Sequence, residues 1–229
     1  MRETDALWMQ GEIQDIRQRI EDRHQDEKFR MLFYDVTSNI PADMLDLERE
    51  VPEELQDEDD EWGFWKPTPS TITDEEITGL EARLGAAFPA AFHALLKAYH
   101  LVSWTSAGMS DGHGGYRGGC MSFTLPPLTT ELRLSELERH AAEDWGNLIG
   151  AGYLPFAIGE DGQGPICFDL KRRDAQVQGD CPVVWMLHDD LVDLGPEGVG
   201  TRSSVEPHMR QIADSFADLK AILFGGDEA

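Results

Sequence analysis

From Thr4 to about Phe33 the apolar positions are sparse but fall near helical spacing, at Leu7, Ile13, Ile16, Ile20 and Phe29, among charged and glutamine residues. This pattern predicts one or two helices. The period is lost between Val36 and Trp65, where Pro41 and Pro52 punctuate the chain and an acidic run, Gln56 to Glu61, ends in Trp62, Gly63, Phe64 and Trp65. That stretch reads as a linker.

A sharper helical signal follows. Thr73 stands as an N-cap with Glu76 three residues later, the spacing of a capping box, and Asp74 and Glu75 add negative charge where the helix dipole is positive. Ile77, Leu80 and Leu84 share one face, and Gly85 supplies the stop. Pro89 opens a second helix with a stripe of Phe92, Leu95, Leu96 and Tyr99. Together these predict a helical hairpin.

From His100 to Pro127 the composition turns to strands and loops around a glycine-dense insert, Gly108 to Gly119. Leu132 to Trp145 reads as helix, with Leu134, Leu137 and Ala141 inward. Three short apolar runs separated by turn residues, Tyr153 to Gly159, Pro165 to Leu170 and Pro182 to Leu187, predict successive strands of an antiparallel meander. Ile212, Phe216, Leu219 and Leu223 predict a closing helix over Met209 to Phe224.

Composition narrows the function classes. With 229 residues, 41% of them hydrophobic, the chain can build one main domain with an extension. Its 44 acidic and 19 basic residues give a formal net charge of −25, which disfavours nucleic acid and anionic membranes as partners and makes a basic partner the natural complement. Cys120, Cys167 and Cys181 have neither disulfide nor metal spacing, which fits a reducing compartment. The early acids of the N-terminal stretch and its lack of an apolar run do not read as a secretory signal, and no run is long enough to cross a membrane, so a cytoplasmic protein is expected.

Candidate chemistry adds little. His188, Asp189 and Asp190 are adjacent, and on a strand they would point to alternate faces, so they read as a polar strand end. His113 has no second ligand at helical spacing, and Gly159, Gly162 and Gly164 lack the lysine and hydroxyl residue of a phosphate loop and read as a hairpin. Ser103 and Ser215 have no nucleophile-elbow pattern. Cys167 and Cys181 are expected in strand cores. No catalytic residue, metal site or cofactor is expected, and the chain reads as a binding protein rather than an enzyme.

Three blocks resemble the SUKH superfamily, the Smi and Knr type. The stretch Ile72 to His100 carries an acidic helix start, Leu80-Glu81, Leu84-Gly85, then a proline and a second helix ending in an aromatic. Tyr153 to Leu170 carries a Pro-Phe-Ala strand and a Cys-Phe-Asp-Leu strand, followed by Pro182 to Asp190, and Ser215 to Leu223 is similar to the family's terminal helix. The resemblance spans about Trp65 to Phe224 and covers neither the segment before Trp62 nor the glycine-dense insert. It implies an α+β fold, a mainly antiparallel sheet packed with helices, here with an N-terminal helical extension and acidic linker over residues 1–62 and the family-like domain over 63–229.

The resemblance also implies protein binding. Bacterial members are typically immunity proteins that neutralise a toxin delivered by contact-dependent or type VI secretion systems, often one directed at nucleic acids or nucleotides; yeast members are regulatory scaffolds. The net charge of −25 agrees with the first role, an immunity protein that covers the active cleft of its toxin, and the regulatory scaffold is the alternative. The acids expected to meet a partner are those of turns and linkers: Asp57, Glu58, Asp59, Asp60 and Glu61 with Trp62 and Trp65 beside them, then Glu160, Asp161, Asp189, Asp190 and Asp193. The run beside the tryptophans is either a solvated loop whose rings dock back on the domain or a phosphate mimic for a basic cleft. Asp169, within the Phe-Asp-Leu strand, is assigned a structural role, hydrogen-bonding a neighbouring turn.

Overall fold

The computed structural model describes residues 3–56, 61–109, 121–159, 164–173 and 180–224. The chain opens with helix α1 (Glu3–Gln25) and a 3-10 segment (Glu27–Phe33), followed by strands β1 (Tyr34–Val36), β2 (Trp62–Phe64) and β3 (Thr68–Pro69). Helices α2 (Asp74–Leu84) and α3 (Ala90–Ala98) come next, then strands β4 (Tyr99–His100), β5 (Trp104–Met109) and β6 (Met121–Leu125). Helices α4 (Ser135–Arg139) and α5 (Asn147–Ala151) precede strands β7 (Tyr153–Gly159), β8 (Pro165–Asp169) and β9 (Val183–Met186). Helices α6 (His188–Val199) and α7 (Arg202–Val205), strand β10 (Met209–Ala213) and helix α8 (Phe216–Phe224) complete it.

Strands β5 to β10 form one six-stranded sheet in chain order, every neighbouring pair antiparallel. The expected meander is therefore present and longer than the three strands predicted. Alternation along the strands divides two cores. Leu154, Phe156, Ile166, Phe168, Val183 and Trp185 enter one, while Tyr153, Cys167, Val184 and Met186 enter the other. Helices cover both faces: α1, α2, α3 and α8 contribute to the first core, α5, α6 and α7 to the second. Strands buried on both sides have no polar face, which is why they read as continuous apolar runs.

The larger core is organised on Phe92 of α3. Its ring meets Phe156, Phe168 and Phe216 edge-on at centroid distances of 5.2, 5.3 and 5.3 Å, and Phe156 stacks on Phe168 at 3.9 Å. Each such pair adds about 0.5–1.5 kcal/mol beyond burial. The capping box is formed: Thr73 Oγ1 accepts from Glu76 N–H, Glu76 Oε2 accepts from Thr73 N–H, and Gly85 ends α2 in the left-handed conformation, φ 67°.

The N-terminal helix packs across α3 and α8. Ile16 and Ile20 are buried in the larger core, Lys220 Nζ of α8 reaches Glu12 Oε2 at 2.6 Å and Asp15 Oδ2 at 2.9 Å, and Tyr99 donates to Glu21. Where a linker was expected after residue 36, the described part of that stretch is packed instead. Ile40 and Met44 are buried, β1 pairs with β2 so that Tyr34 opposes Phe64, and Leu45 bridges Trp65. Apolar residues scattered between prolines bury themselves without a periodic signal.

Two further elements differ from expectation. Met209 to Ala213 is the edge strand β10 rather than the start of the closing helix, and the helix begins only at Phe216. The 4-3-4 spacing of Ile212, Phe216, Leu219 and Leu223 imitates a single helix, but Ile212 belongs to the strand that pairs with β9. His188 to Asp190 form the first turn of α6, not a strand end. That helix breaks at Gly195, whose φ 65°, ψ 172° suits glycine alone, and restarts at Pro196.

Candidate functional site

A groove of about 1020 Å³ lies where the end of α4, α5, the facing ends of β7 and β8, and α6 meet. The end of α4 determines its shape. The helix passes into a π-helical turn, His140–Asp144, a local widening that recurs at functional sites. Trp145 follows, half-buried, with its ring edge-on to His188 at 5.8 Å. From α6 the groove receives Leu191 and Val192, the latter 60% exposed.

His140 is buried at 1% exposure in the wall of this groove. Its Nε2 lies 3.0 Å from the carbonyl oxygen of Ala157, and because a carbonyl only accepts, Nε2 carries the proton and donates. In the neutral ring Nδ1 is therefore a lone pair. It has no hydrogen-bond partner among the described residues, and the nearest carboxylate oxygen, Asp144 Oδ2, stands 3.6 Å away. Burial pushes the His140 pKa below 6.5 in spite of the opposing pull of Ala157 and Asp144, so the ring is held neutral and two acceptors face each other.

The charges around the groove are unbalanced. Arg83, the one arginine lining it among the described residues, is bound by two nitrogens to Glu138, Nε at 2.6 Å and Nη2 at 2.7 Å, and Arg139 Nη1 holds Asp144 at 3.0 Å. Glu143 lines the groove with no ion pair among the described residues, and neither Asp193 nor Glu197 of α6 has one. Asp189, 89% exposed at its side chain, lies 3.4 Å from His188 Nδ1 and has no other ion pair among the described residues. The result is an apolar floor with free carboxylates beside it.

The expected partner acids fall on different elements. Asp189, Asp190 and Asp193 come together on α6, where Asp190 also pairs with His208 at 3.5 Å. Glu61 is exposed, and its carbonyl accepts from Thr37 N–H at 2.7 Å at the entry to β2. Trp62 is half-buried and stacks on Tyr34 at 5.1 Å. Trp65 is a correction: it is 0% exposed, 5.0 Å from Phe33 in the core, and has no surface to offer a partner. Its ring has docked back on the domain. Asp57, Glu58, Asp59, Asp60, Glu160 and Asp161 lie outside the described residues, as do His113 and Cys120.

Other residues singled out from the sequence settle into structural places. Cys167 and Cys181 are free and buried, and burial raises both thiol pKa values, that of Cys181 to about 12. Asp169 is fully buried, taking both ends of the Arg202 guanidinium and Nε of Arg172. Ser215 Oγ accepts from Asp218 N–H in the first turn of α8. No group of three or more His, Cys, Asp and Glu among the described residues is placed to hold a metal ion.

Sequence reasoning missed the π turn with His140, Glu143, Asp144 and Trp145. It read them as the end of an ordinary helix, and the available signal was the His140–Asp144 pair at i, i+4 directly before Trp145-Gly146. Among known proteins, the family model described as SMI1 / KNR4 family (SUKH-1) matches residues 71–221. No curated protein matches the chain. The matched span runs from the start of α2 into α8 and includes every element of the groove.

Proposed function

The chain belongs to the SMI1 / KNR4 family (SUKH-1), and from that premise we propose that it is an immunity protein, acting in the cytoplasm by binding and neutralising a cognate bacterial toxin. It performs no catalysis of its own. Its partner is a basic toxin domain, one directed at nucleic acids or nucleotides, delivered by contact-dependent or type VI secretion and inhibited by covering its active cleft. The observation that carries this reading is the combination of family membership with the free carboxylates beside the α6 groove in a chain of net charge −25. A cleft that handles phosphates is positive, so an acidic protein is drawn to it quickly and held in register. No helix among the described residues is long and apolar enough to cross a membrane, which is compatible with action in the cytoplasm.

The test is co-expression with the toxin encoded beside it. Restored growth and a stable complex, with an association rate that falls as salt rises, support the reading. Growth arrest without a complex sinks it.

A further inference from the structure

We propose that the groove between the π turn and α6 binds an arginine side chain of the partner protein, flanked by an apolar residue, with the guanidinium set among Trp145, Glu143, Asp144 and Asp189. This deepens the toxin-binding reading and rests on it for the partner's identity. The chemistry of the groove rests on its own observations.

The first is the shortage of donors. His140 Nδ1 and Asp144 Oδ2 face one another at 3.6 Å, and neither supplies a hydrogen to the other. Nδ1 cannot turn away to solvent, because Nε2 is tied to Ala157 in the interior. A buried acceptor without a donor is costly, and a cationic N–H donor entering beside Asp144, whose oxygens already accept from Arg139 Nη1 at 3.0 Å, relieves it. Guanidinium fits this better than ammonium, having several N–H groups in a fixed planar fork and a face that stacks on an aromatic ring.

The second is charge complementarity. Arg83, the lone arginine or lysine lining the groove among the described residues, is spent on Glu138, whereas Glu143 is unpaired and Asp189 is almost fully exposed. Trp145, half-buried, offers the ring for a cation–π contact. Val192, 60% exposed, and Leu191 provide the apolar floor that an adjacent aliphatic side chain of the partner would cover. An anionic or purely apolar segment leaves these carboxylates and Nδ1 unsatisfied.

The experiment uses the full chain and a fluorescein-labelled peptide of alternating leucine and arginine, its arginines replaced by citrulline in a second probe of the same shape without charge. Anisotropy should show the arginine peptide binding about ten-fold or more tightly than the citrulline peptide, and Glu143→Gln with Asp189→Asn should remove about ten-fold of that affinity. A distant pair of exposed acids, Glu48→Gln with Glu50→Gln, controls for net charge and should change binding by less than about two-fold. Equal losses in the two double variants, or equal binding of the two peptides, overturn the proposal.

Asp144→Asn gives a second readout. Its amide N–H can bond Nδ1 from within, so this variant should lose arginine-peptide binding while keeping or raising its midpoint of unfolding. Unchanged peptide affinity in Asp144→Asn overturns the proposed role of the pair. The toxin itself separates the two readings. A toxin complex that tolerates the Glu143, Asp189 double substitution overturns the groove and leaves neutralisation standing. Groove-dependent peptide binding without any toxin complex supports the groove and overturns neutralisation.

Discussion

Arg202 of α7 holds Asp169 of β8 by both carboxylate oxygens, Nη1 to Oδ1 at 2.8 Å and Nη2 to Oδ2 at 2.9 Å. Burial alone would raise the Asp169 pKa, but the hydrogen bonds from Arg202 and Arg172 outweigh it and hold the value below the usual carboxylate range. Lys171 N–H adds a contact at 3.2 Å, and Arg202 also lies 4.7 Å from the centroid of the Tyr153 ring. One acidic residue in a strand thus ties helix α7 to the sheet.

Asp169→Asn should therefore be severe. It removes the carboxylate that faces two guanidinium groups, and breaking a buried pair from one side costs about 3–5 kcal/mol. Arg202→Met should cost less, because Arg172 still neutralises Asp169 and the aliphatic stem keeps packing on Tyr153. Urea unfolding of both variants checks the order, and equal losses would refute it.

Acid sensitivity should come in two windows. His100 is fully buried, its Nδ1 donating to Leu128 O at 2.9 Å and its Nε2 accepting from Thr71 N–H at 3.0 Å, so protonation sets a donor against a donor. Burial lowers the pKa values of His24, His100 and His140 below 6.5 in the fold. The unfolded chain then takes up protons first, and stability present above pH 6.5 is lost as pH falls from there through the folded values. Glu76, held down to about 2 first by Arg133 and then by Thr73, acts lower: its contribution is present above 4.5 and is lost as pH falls toward 2. Unfolding midpoints between about pH 7.5 and pH 5 should drop in the wild type and drop less in His100→Gln.

The N-terminal helix should behave as part of the core. Ile16 and Ile20 are fully buried, so Ile16→Ala and Ile20→Ala should each cost about 2–4 kcal/mol. Leu7, 64% exposed on the same helix, should tolerate alanine within about 0.5 kcal/mol. Urea midpoints for the three variants measure this, and a tolerant Ile16 would mean that α1 is a detachable arm.

What could be read from the sequence was what local signals encode. The α2–α3 hairpin announced itself through Thr73, Glu76, Gly85 and Pro89, and β7, β8 and β9 through apolar runs bounded by turn residues. Edge strand β10 was hidden because its pairing with β9 is non-local while Ile212 and Phe216 happen to stand four apart. Helix α6 was hidden by Gly195-Pro196, which resembles a turn signal in the middle of a short helix. The groove was illegible for a different reason: His140 and Trp145 meet His188 and Val192 only when the end of α4 comes against α6, and a π turn adds one residue to a helix without changing its composition. Asp189 and Asp193 stand out in the sequence because a run of acids needs no geometry to be noticed.

The start of α8 provides a last case in which a distant residue does local work. Asp180, 4% exposed, accepts from Cys181 N–H at 2.8 Å and from Phe216 N–H at 3.1 Å through Oδ1, and from Ala217 N–H at 3.3 Å through Oδ2. The first amides of a helix have no intrahelical acceptor, so a carboxylate brought across from the segment before β9 caps them and favours the positive end of the helix dipole. The side chain of Ser215, the neighbour in sequence, bonds Asp218, accepting from its N–H and donating to its carboxylate. Asp180→Ala should then cost about 2 kcal/mol, since it leaves buried N–H groups without an acceptor, and Ser215→Ala about 1 kcal/mol or less. Asp180→Asn keeps one acceptor and should fall between them. Amide hydrogen exchange at Phe216 and Ala217 should accelerate in Asp180→Ala before the rest of α8 is affected, and unchanged exchange there would show that the helix is held by the packing of Phe216 alone.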